Sequence, residues 1–198
     1  MNLWEEVNLP DDVERDSIDV KRLDAYRIAD FRTVHSAAHG CEWCQCVAWW
    51  TPSWDGWPER TLEQNRSLRE ALFARGEFDG YLLYEGGHPV GWCQVGAAER
   101  LAKLCRTYRI SPDPGTVAIS CFLLAPGARG RGLAHALLRG VLDDLSARGC
   151  THVLAFPRRG SGLPADDVWT GPEQLYLHAG FRVSRSDAAH PILEWTPQ

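Results

Sequence analysis

A chain of 198 residues, 44% of them hydrophobic, is long enough to fold as one domain around its own core without disulfide or metal staples. Its formal net charge of -5, with no basic stripe, argues against nucleic acid as a partner. No run approaches the roughly 18 apolar residues of a membrane span, and the polar, acidic stretch Met1 to Asp19 lacks a secretory signal pattern.

Seven Cys, an odd number mostly inside apolar stretches, read as free thiols in a reducing compartment. A cytoplasmic protein without a membrane partner is expected. Residues 1–17 read as an N-terminal arm and 18–198 as the domain. Ile18 to Leu23 has the look of a short strand. From Tyr26 to Ala38, Ile28, Phe31 and Val34 recur at helical spacing. Cys41 to Trp57 is dense in Trp and Cys. Thr61-Leu62-Glu63-Gln64 fits a capping box, with Leu62, Leu68 and Leu72 as the apolar face behind it and Gly76 as the stop.

Tyr81–Tyr84 and Val90–Val95 flank a Gly-rich loop, as in a β-hairpin. Ala97 to Arg109 reads as a helix or an irregular connection. Thr116 to Leu124 is apolar on both parities, as in a strand covered on both faces. Leu133, Leu137, Leu138, Val141, Leu142 and Leu145 form one helical stripe, ended by Gly149. Thr151–Phe156 reads as a strand, Gly160–Thr170 as a loop, Pro172–Ala179 as a short helix, and Phe181–Ser184 and Ile192–Trp195 as two final strands. This order indicates an α/β domain with a mixed sheet.

Between the strand ending Phe122-Leu123-Leu124 and the next helix lies Arg129-Gly130-Arg131-Gly132-Leu133-Ala134. A Gly-rich turn there exposes unpaired amides at the positive end of a helix dipole, which suits a pyrophosphate. A P-loop is excluded because no Lys-Ser or Lys-Thr follows the glycines. A dinucleotide fingerprint is excluded because His135 stands where its third glycine belongs. Arg129-x-x-Gly132-x-Ala134 instead fits R/Q-x-x-G-x-G/A, the coenzyme A signature.

At this point the chain resembles the GNAT superfamily of acyl-CoA-dependent N-acyltransferases. A second motif supports the likeness: Leu175-Tyr176-Leu177-His178-Ala179-Gly180-Phe181 matches the family's Y-x-x-x-G-F helix end. The span from Tyr81 to Phe181 follows the family order, whereas Tyr26 to Gly80 matches only in its two-helix outline. The resemblance implies a mixed sheet of six or seven strands flanked by helices. It implies that the amides from Arg129 through Ala134 bind the pyrophosphate of acetyl-CoA, with Arg129 and Arg131 adding charge. It further implies that the backbone of Phe122, Leu123 and Leu124 contacts pantetheine in a gap between two splayed strands. Tyr176 stands at the position of the acid that protonates the departing thiolate, while an amine attacks the thioester directly in a ternary complex. No metal is required.

The general base is not identified. Glu42, Asp55, Glu85 and Glu173 qualify by residue type, and a water relay ending on Ser120 qualifies equally. In the Trp- and Cys-rich segment two readings stand: Trp49, Trp50, Trp54 and Trp57 as an aromatic wall for the acceptor, or an added strand with a small aromatic core. Strand alternation would put Trp43, Gln45, Val47 and Trp49 on one face and Cys44, Cys46, Ala48 and Trp50 on the other. Cys41-x-x-Cys44-x-Cys46 with His35 or His39 reaches four metal ligands on paper, but no second CxxC follows, so buried thiols are expected. The expected activity is acetyl transfer to a small-molecule amine. The alternatives are a non-catalytic CoA-binding sensor and a zinc-stabilised interaction module; a homodimer is a further expectation.

Overall fold

The computed structural model describes residues 17–38 and 42–197. The expected arm therefore lies outside the described residues except for Ser17. Strands β1 (Ile18–Arg22), β2 (Asp79–Glu85), β3 (His88–Ala97), β4 (Val117–Leu124), β5 (Val153–Ala155), β6 (Arg182–Arg185) and β7 (Ile192–Trp195) form one sheet in the order β1-β2-β3-β4-β5-β7-β6. Among the described residues five α-helices accompany it: α1 (Ile28–Ala37), α2 (Leu62–Ala74), α3 (Ala102–Tyr108), α4 (Leu133–Ala147) and α5 (Glu173–His178). No helix among the described residues is long and apolar enough to cross a membrane.

Only β4 and β5 pair in parallel. A parallel pair needs a crossover, and α4 supplies it. All six residues of the predicted α4 stripe are buried. They pack on one sheet face with Tyr81, Leu83, Cys93, Val95 and Ile119, and with Leu175, Tyr176 and Phe181 from the α5 region. Each buried Leu or Val side chain contributes about 1.5–3 kcal/mol, so α4 is the main anchor of that face. Gly140 lets α4 approach β1; a Cβ there would meet Val20 at 2.7 Å.

On the other face, α1 and α2 cover Leu82, Trp92 and Cys121 through Phe31, Val34 and Leu72. Farther along, α3 covers Ala118 and Leu154 through Leu104 and Tyr108. The capping box at α2 forms in full: Thr61 Oγ1 accepts from Gln64 N–H, and Gln64 Oε1 accepts from Thr61 N–H.

The predicted helix face of α2 is only partly right. Leu72 is buried, but Asn65 and Arg69 are the other buried residues of this helix. They serve as polar tethers. Asn65 Nδ2 donates to the Trp43 carbonyl at 2.8 Å, and Arg69 Nε donates to Gln45 Oε1 at 3.1 Å. The tethered segment is not an added strand. It folds as two 3-10 turns, Glu42–Cys44 and Ala48–Trp50, joined through Gln45 and Cys46 at φ 48° and 53°. The left-handed backbone at these two residues breaks the strand alternation expected from the sequence.

One irregularity shapes the centre of the sheet. Between β3 and β4, Gln94 faces Cys121 but Val95 faces Ile119, so Ser120 is an extra residue, a β-bulge. The Ser120 carbonyl accepts from Trp49 Nε1 at 3.1 Å, and its hydroxyl donates to Gln94 Oε1 at 3.1 Å. Bulges bend the strand and increase its twist. Pairing with β5 accordingly stops at Ile119, while β4 runs on to Leu124. Beyond the bulge β4 has no β5 partner.

Candidate active site

The turn after β4 carries the first half of the site. Gly130 and Gly132 adopt φ 72° and 77°, a left-handed conformation that L side chains rarely take. An added Cβ at either position would meet no protein atom within 4 Å. The glycines are therefore demanded by backbone conformation and leave open space in front of the turn. Gly132 is the N-cap of α4 and provides no side-chain cap. The amides of Gly130, Arg131, Gly132, Leu133 and Ala134 find no acceptor among the described residues. Five consecutive free N–H groups at a helix start form an anion cradle.

The two arginines are already engaged. Arg129 Nε donates to the Leu124 carbonyl at 3.1 Å, tying the turn to the strand end. Arg131 makes two bonds to the Glu85 carboxylate, at 2.8 and 2.7 Å. Glu85 thus offsets the charge of Arg131 beside the cradle.

The part of β4 without a β5 partner carries the second half. The Phe122 amide, which has no β5 carbonyl to bond, donates to the Trp169 carbonyl at 2.7 Å. The Tyr176 hydroxyl donates to the next carbonyl, that of Thr170, at 2.7 Å. Tyr176 is 0% exposed and does not line the cavity described below. Burial holds its phenol well above the usual tyrosine range.

A cavity of about 360 Å³ opens beside Phe122 and Leu123. Five tryptophans line it: Trp43, Trp49, Trp54, Trp57 and Trp169. Three of the four expected wall residues are thus present. Trp50 is not; its ring lies tilted against Phe78, centroids 5.9 Å apart, and covers Gly96. The 3-10 geometry points successive residues a third of a turn apart, so Trp49 and Trp50 cannot serve the same wall. Leu124 also lies off the cavity, against the position of Gly91 and the α4 cluster. The cation held by the Trp54 ring is the protein's own Lys103, with Nζ 3.7 Å from the ring centroid. Lys103 Nζ also donates to Thr51 Oγ1 at 2.6 Å, and burial lowers its pKa to about 8.

The sequence reading missed Trp43 and Trp169 as wall residues, along with Gln94 and a group of titratable side chains: His35, Cys44, Cys46 and Cys121. Among the described residues no carboxylate lines this cavity. The four acids considered as bases lie elsewhere: Glu85 pairs with Arg131, Glu173 with Arg159, Glu42 with Ser36 and Asp55 with Ser53. A neighbouring cavity of about 340 Å³ shares Trp49, Trp54 and Trp169 as its wall and contains Asp167 and Asp187. His39 and Cys41 lie outside the described residues, and among the described residues no cluster of His, Cys, Asp and Glu is arranged to hold a metal ion.

The sequence matches the acetyltransferase (GNAT) family profile over residues 43–169. The chain belongs to the GNAT family. Its fold resembles that of aminoglycoside acetyltransferase AAC(6')-Ib in complex with coenzyme A and kanamycin, with a TM-score of 0.59 at 22% identity over 92% of this chain and 96% of that one. It also resembles aminoglycoside N-acetyltransferase AAC(6')-Ib11, with a TM-score of 0.61 at 20% identity over 92% and 98%. The PaiA N-acetyltransferase of Thermoplasma acidophilum, solved with coenzyme A, aligns with a TM-score of 0.54 at 11% identity over 91% and 99%. At these identities the likeness is one of fold. No curated protein matches the sequence. The GNAT profile spans both the Trp- and Cys-rich segment and the Gly turn, and ends at Trp169.

Proposed function

We propose that the protein transfers the acetyl group of acetyl-CoA to a small amine with an apolar or aromatic body. The observation that carries this reading is the run of free amides from Gly130 to Ala134 at the uncapped start of α4, next to a β4 edge without a β5 partner. A pyrophosphate on the cradle would leave its attached chain running along β4 towards Phe122 and the tryptophan-lined cavity.

In this reading the chain's own groups do the following. The amides at 130–134 hold the diphosphate. The backbone of Phe122 to Leu124 orients the pantetheine arm, with the Phe122 amide exchanging the Trp169 carbonyl for a ligand acceptor. The Tyr176 hydroxyl, one carbonyl away at Thr170, serves as the acid for the thiolate once released from that bond. The aromatic walls strip water from the acceptor. Desolvation lowers an amine's pKa and favours the neutral, nucleophilic form.

One observation favours a second reading, a CoA-binding domain without catalysis. The Tyr176 hydroxyl is buried and bonded within the protein rather than facing the cavity. The decisive experiment is calorimetric titration of acetyl-CoA into the wild type and an Arg129→Ala, Gly132→Glu double variant, followed by an amine screen read as thiol release. Micromolar binding that the variant loses supports the donor site, and turnover of an arylalkylamine supports the enzyme. Failure of the wild type to bind acetyl-CoA would overturn both readings.

A further inference from the structure

The α1 helix, the 3-10 segment and β4 bring three reactive groups together in the cavity wall. Cys46 and Cys121, 75 residues apart in sequence, stand with their sulfurs 3.3 Å apart. His35 Nε2 lies 3.0 Å from Cys46 Sγ. The other ring nitrogen, Nδ1, is 2.9 Å from the Phe31 carbonyl. A carbonyl can only accept, so Nδ1 carries the proton and Nε2 presents its lone pair to the thiol. The arrangement is held firmly. Cys46 sits at φ 53°, a conformation that costs a β-substituted residue about 1–3 kcal/mol. Its carbonyl is fixed by Gln94 Nε2 at 2.9 Å. Both sulfurs are largely buried, at 4% and 8% residue exposure, yet both border the cavity, which admits a small oxidant.

The geometry points to a thiol-oxidation site: Cys46 and Cys121 form a dithiol that hydrogen peroxide converts to a disulfide, with His35 Nε2 aligning the Cys46 thiol. The atoms balance in two steps. The Cys46 sulfur attacks one peroxide oxygen and the O–O bond breaks; the thiol proton passes to the departing oxygen, which leaves as water, and a sulfenic acid forms on Cys46. The Cys121 thiol then attacks that sulfur, the S–O bond breaks, and a second water leaves. Two thiols are oxidised by two electrons and one peroxide is reduced to two waters. A dithiol reductant reverses the bond.

The consequence for the cavity is direct. The sulfurs close from 3.3 Å to a bonded distance of about 2.05 Å. The 3-10 segment becomes covalently tied to β4 one residue before Phe122, and His35 Nε2 loses its donor. Burial lowers the His35 pKa to about 4 and holds the Cys46 thiol well above its ordinary range, so at neutral pH the ring is neutral and Cys46 rests as a thiol hydrogen-bonded to it. Cys44 also borders the cavity and is the competing partner. The inference does not rest on the identity of the acceptor or on acetyl transfer.

The test treats the reduced, folded protein with hydrogen peroxide, blocks the remaining thiols, and measures intact mass and the tryptic map. The expected result is a loss of two hydrogens and a cross-link between peptides 33–60 and 110–129, located by fragmentation at Cys46 and Cys121 and removed by dithiothreitol. Cys46→Ser and Cys121→Ser should each abolish it, whereas Cys93→Ser and Cys105→Ser should not. His35→Asn, checked for folding by circular dichroism, should slow the reaction several-fold, since the Nε2 acceptor that aligns the Cys46 thiol is lost. Persistence of both thiols, or a cross-link that uses Cys44 instead, would overturn the pairing. A His35→Asn rate equal to that of the wild type would overturn the role of His35.

Discussion

Acidification should destabilise this protein through His35 in a window set by its burial. The imidazole is buried, and its pKa falls from 6.5 to about 4, chiefly by desolvation, with Arg69 adding to the shift and the Phe31 carbonyl opposing it. Between those values the unfolded chain binds a proton that the folded one refuses, so stability falls as pH falls. The contribution is complete above the unfolded pKa and is lost as pH drops towards the folded one. The full shift is worth roughly 3 kcal/mol, and the part lost between about pH 7.5 and about pH 5 is roughly 2 kcal/mol. The assay is urea unfolding at those two pH values for the wild type and for His35→Gln, whose amide does not titrate. The variant will be less stable at neutral pH because its bonds to Phe31 and Cys46 change. Its pH dependence should nevertheless be shallower by roughly 2 kcal/mol. The other histidines and the carboxylates are common to both proteins and cancel. Equal losses in the two proteins would refute the claim that His35 is neutral in the fold.

Three further outcomes are expected. Gly140→Ala improves helix propensity by about 1 kcal/mol, but the new methyl would stand 2.7 Å from Val20 Cβ; overpacking costs about 1–3 kcal/mol, so the melting temperature should fall, and a rise would contradict the tight contact of α4 with β1. Tyr176→Phe removes the bond to the Thr170 carbonyl and should cost about 1 kcal/mol; if the hydroxyl is the acid, turnover should drop about a hundredfold with acetyl-CoA affinity unchanged, and undiminished turnover would remove it from the chemistry. Glu85→Gln frees Arg131 from its carboxylate partner and should tighten acetyl-CoA binding by about threefold, roughly 0.7 kcal/mol, as read by calorimetry; weaker binding would show that the pair positions Arg131 rather than competing for it.

The parts legible in the sequence are those in which local pattern and tertiary environment agree. The α4 stripe, the hairpin around Gly86-Gly87 and the last two strands are local in their causes, and each appears within a residue or two of its expected span. The Gly130 and Gly132 turn was legible for the same reason, since only a left-handed backbone calls for both glycines there. The cavity wall was not. Its segment reads as a strand by alternation, yet Asn65 and Arg69 of α2 hold it in 3-10 turns through bonds that span more than twenty residues. No periodicity encodes such tethers. His35 reads in sequence as a possible metal ligand; its meeting with Cys46 and Cys121 depends on three elements closing on one point. The end of the β4–β5 pairing had no sequence signal of its own, because a bulge at Ser120 leaves the apolar run of β4 intact.

The narrow parallel seam has a kinetic consequence. Strands β1 to β4 pair antiparallel with their neighbours in the sheet, as do β5, β7 and β6, whereas the two panels meet only where Val117, Ala118 and Ile119 face Val153, Leu154 and Ala155. Joining them requires the α4 crossover to be in place first, and non-local pairing forms slowly because loop closure precedes its reward. The hairpin of β2 and β3 should therefore acquire protection early in refolding and β5 late. Pulse-labelled hydrogen exchange would resolve that order, and simultaneous protection of β3 and β5 would mean that the two panels assemble as one.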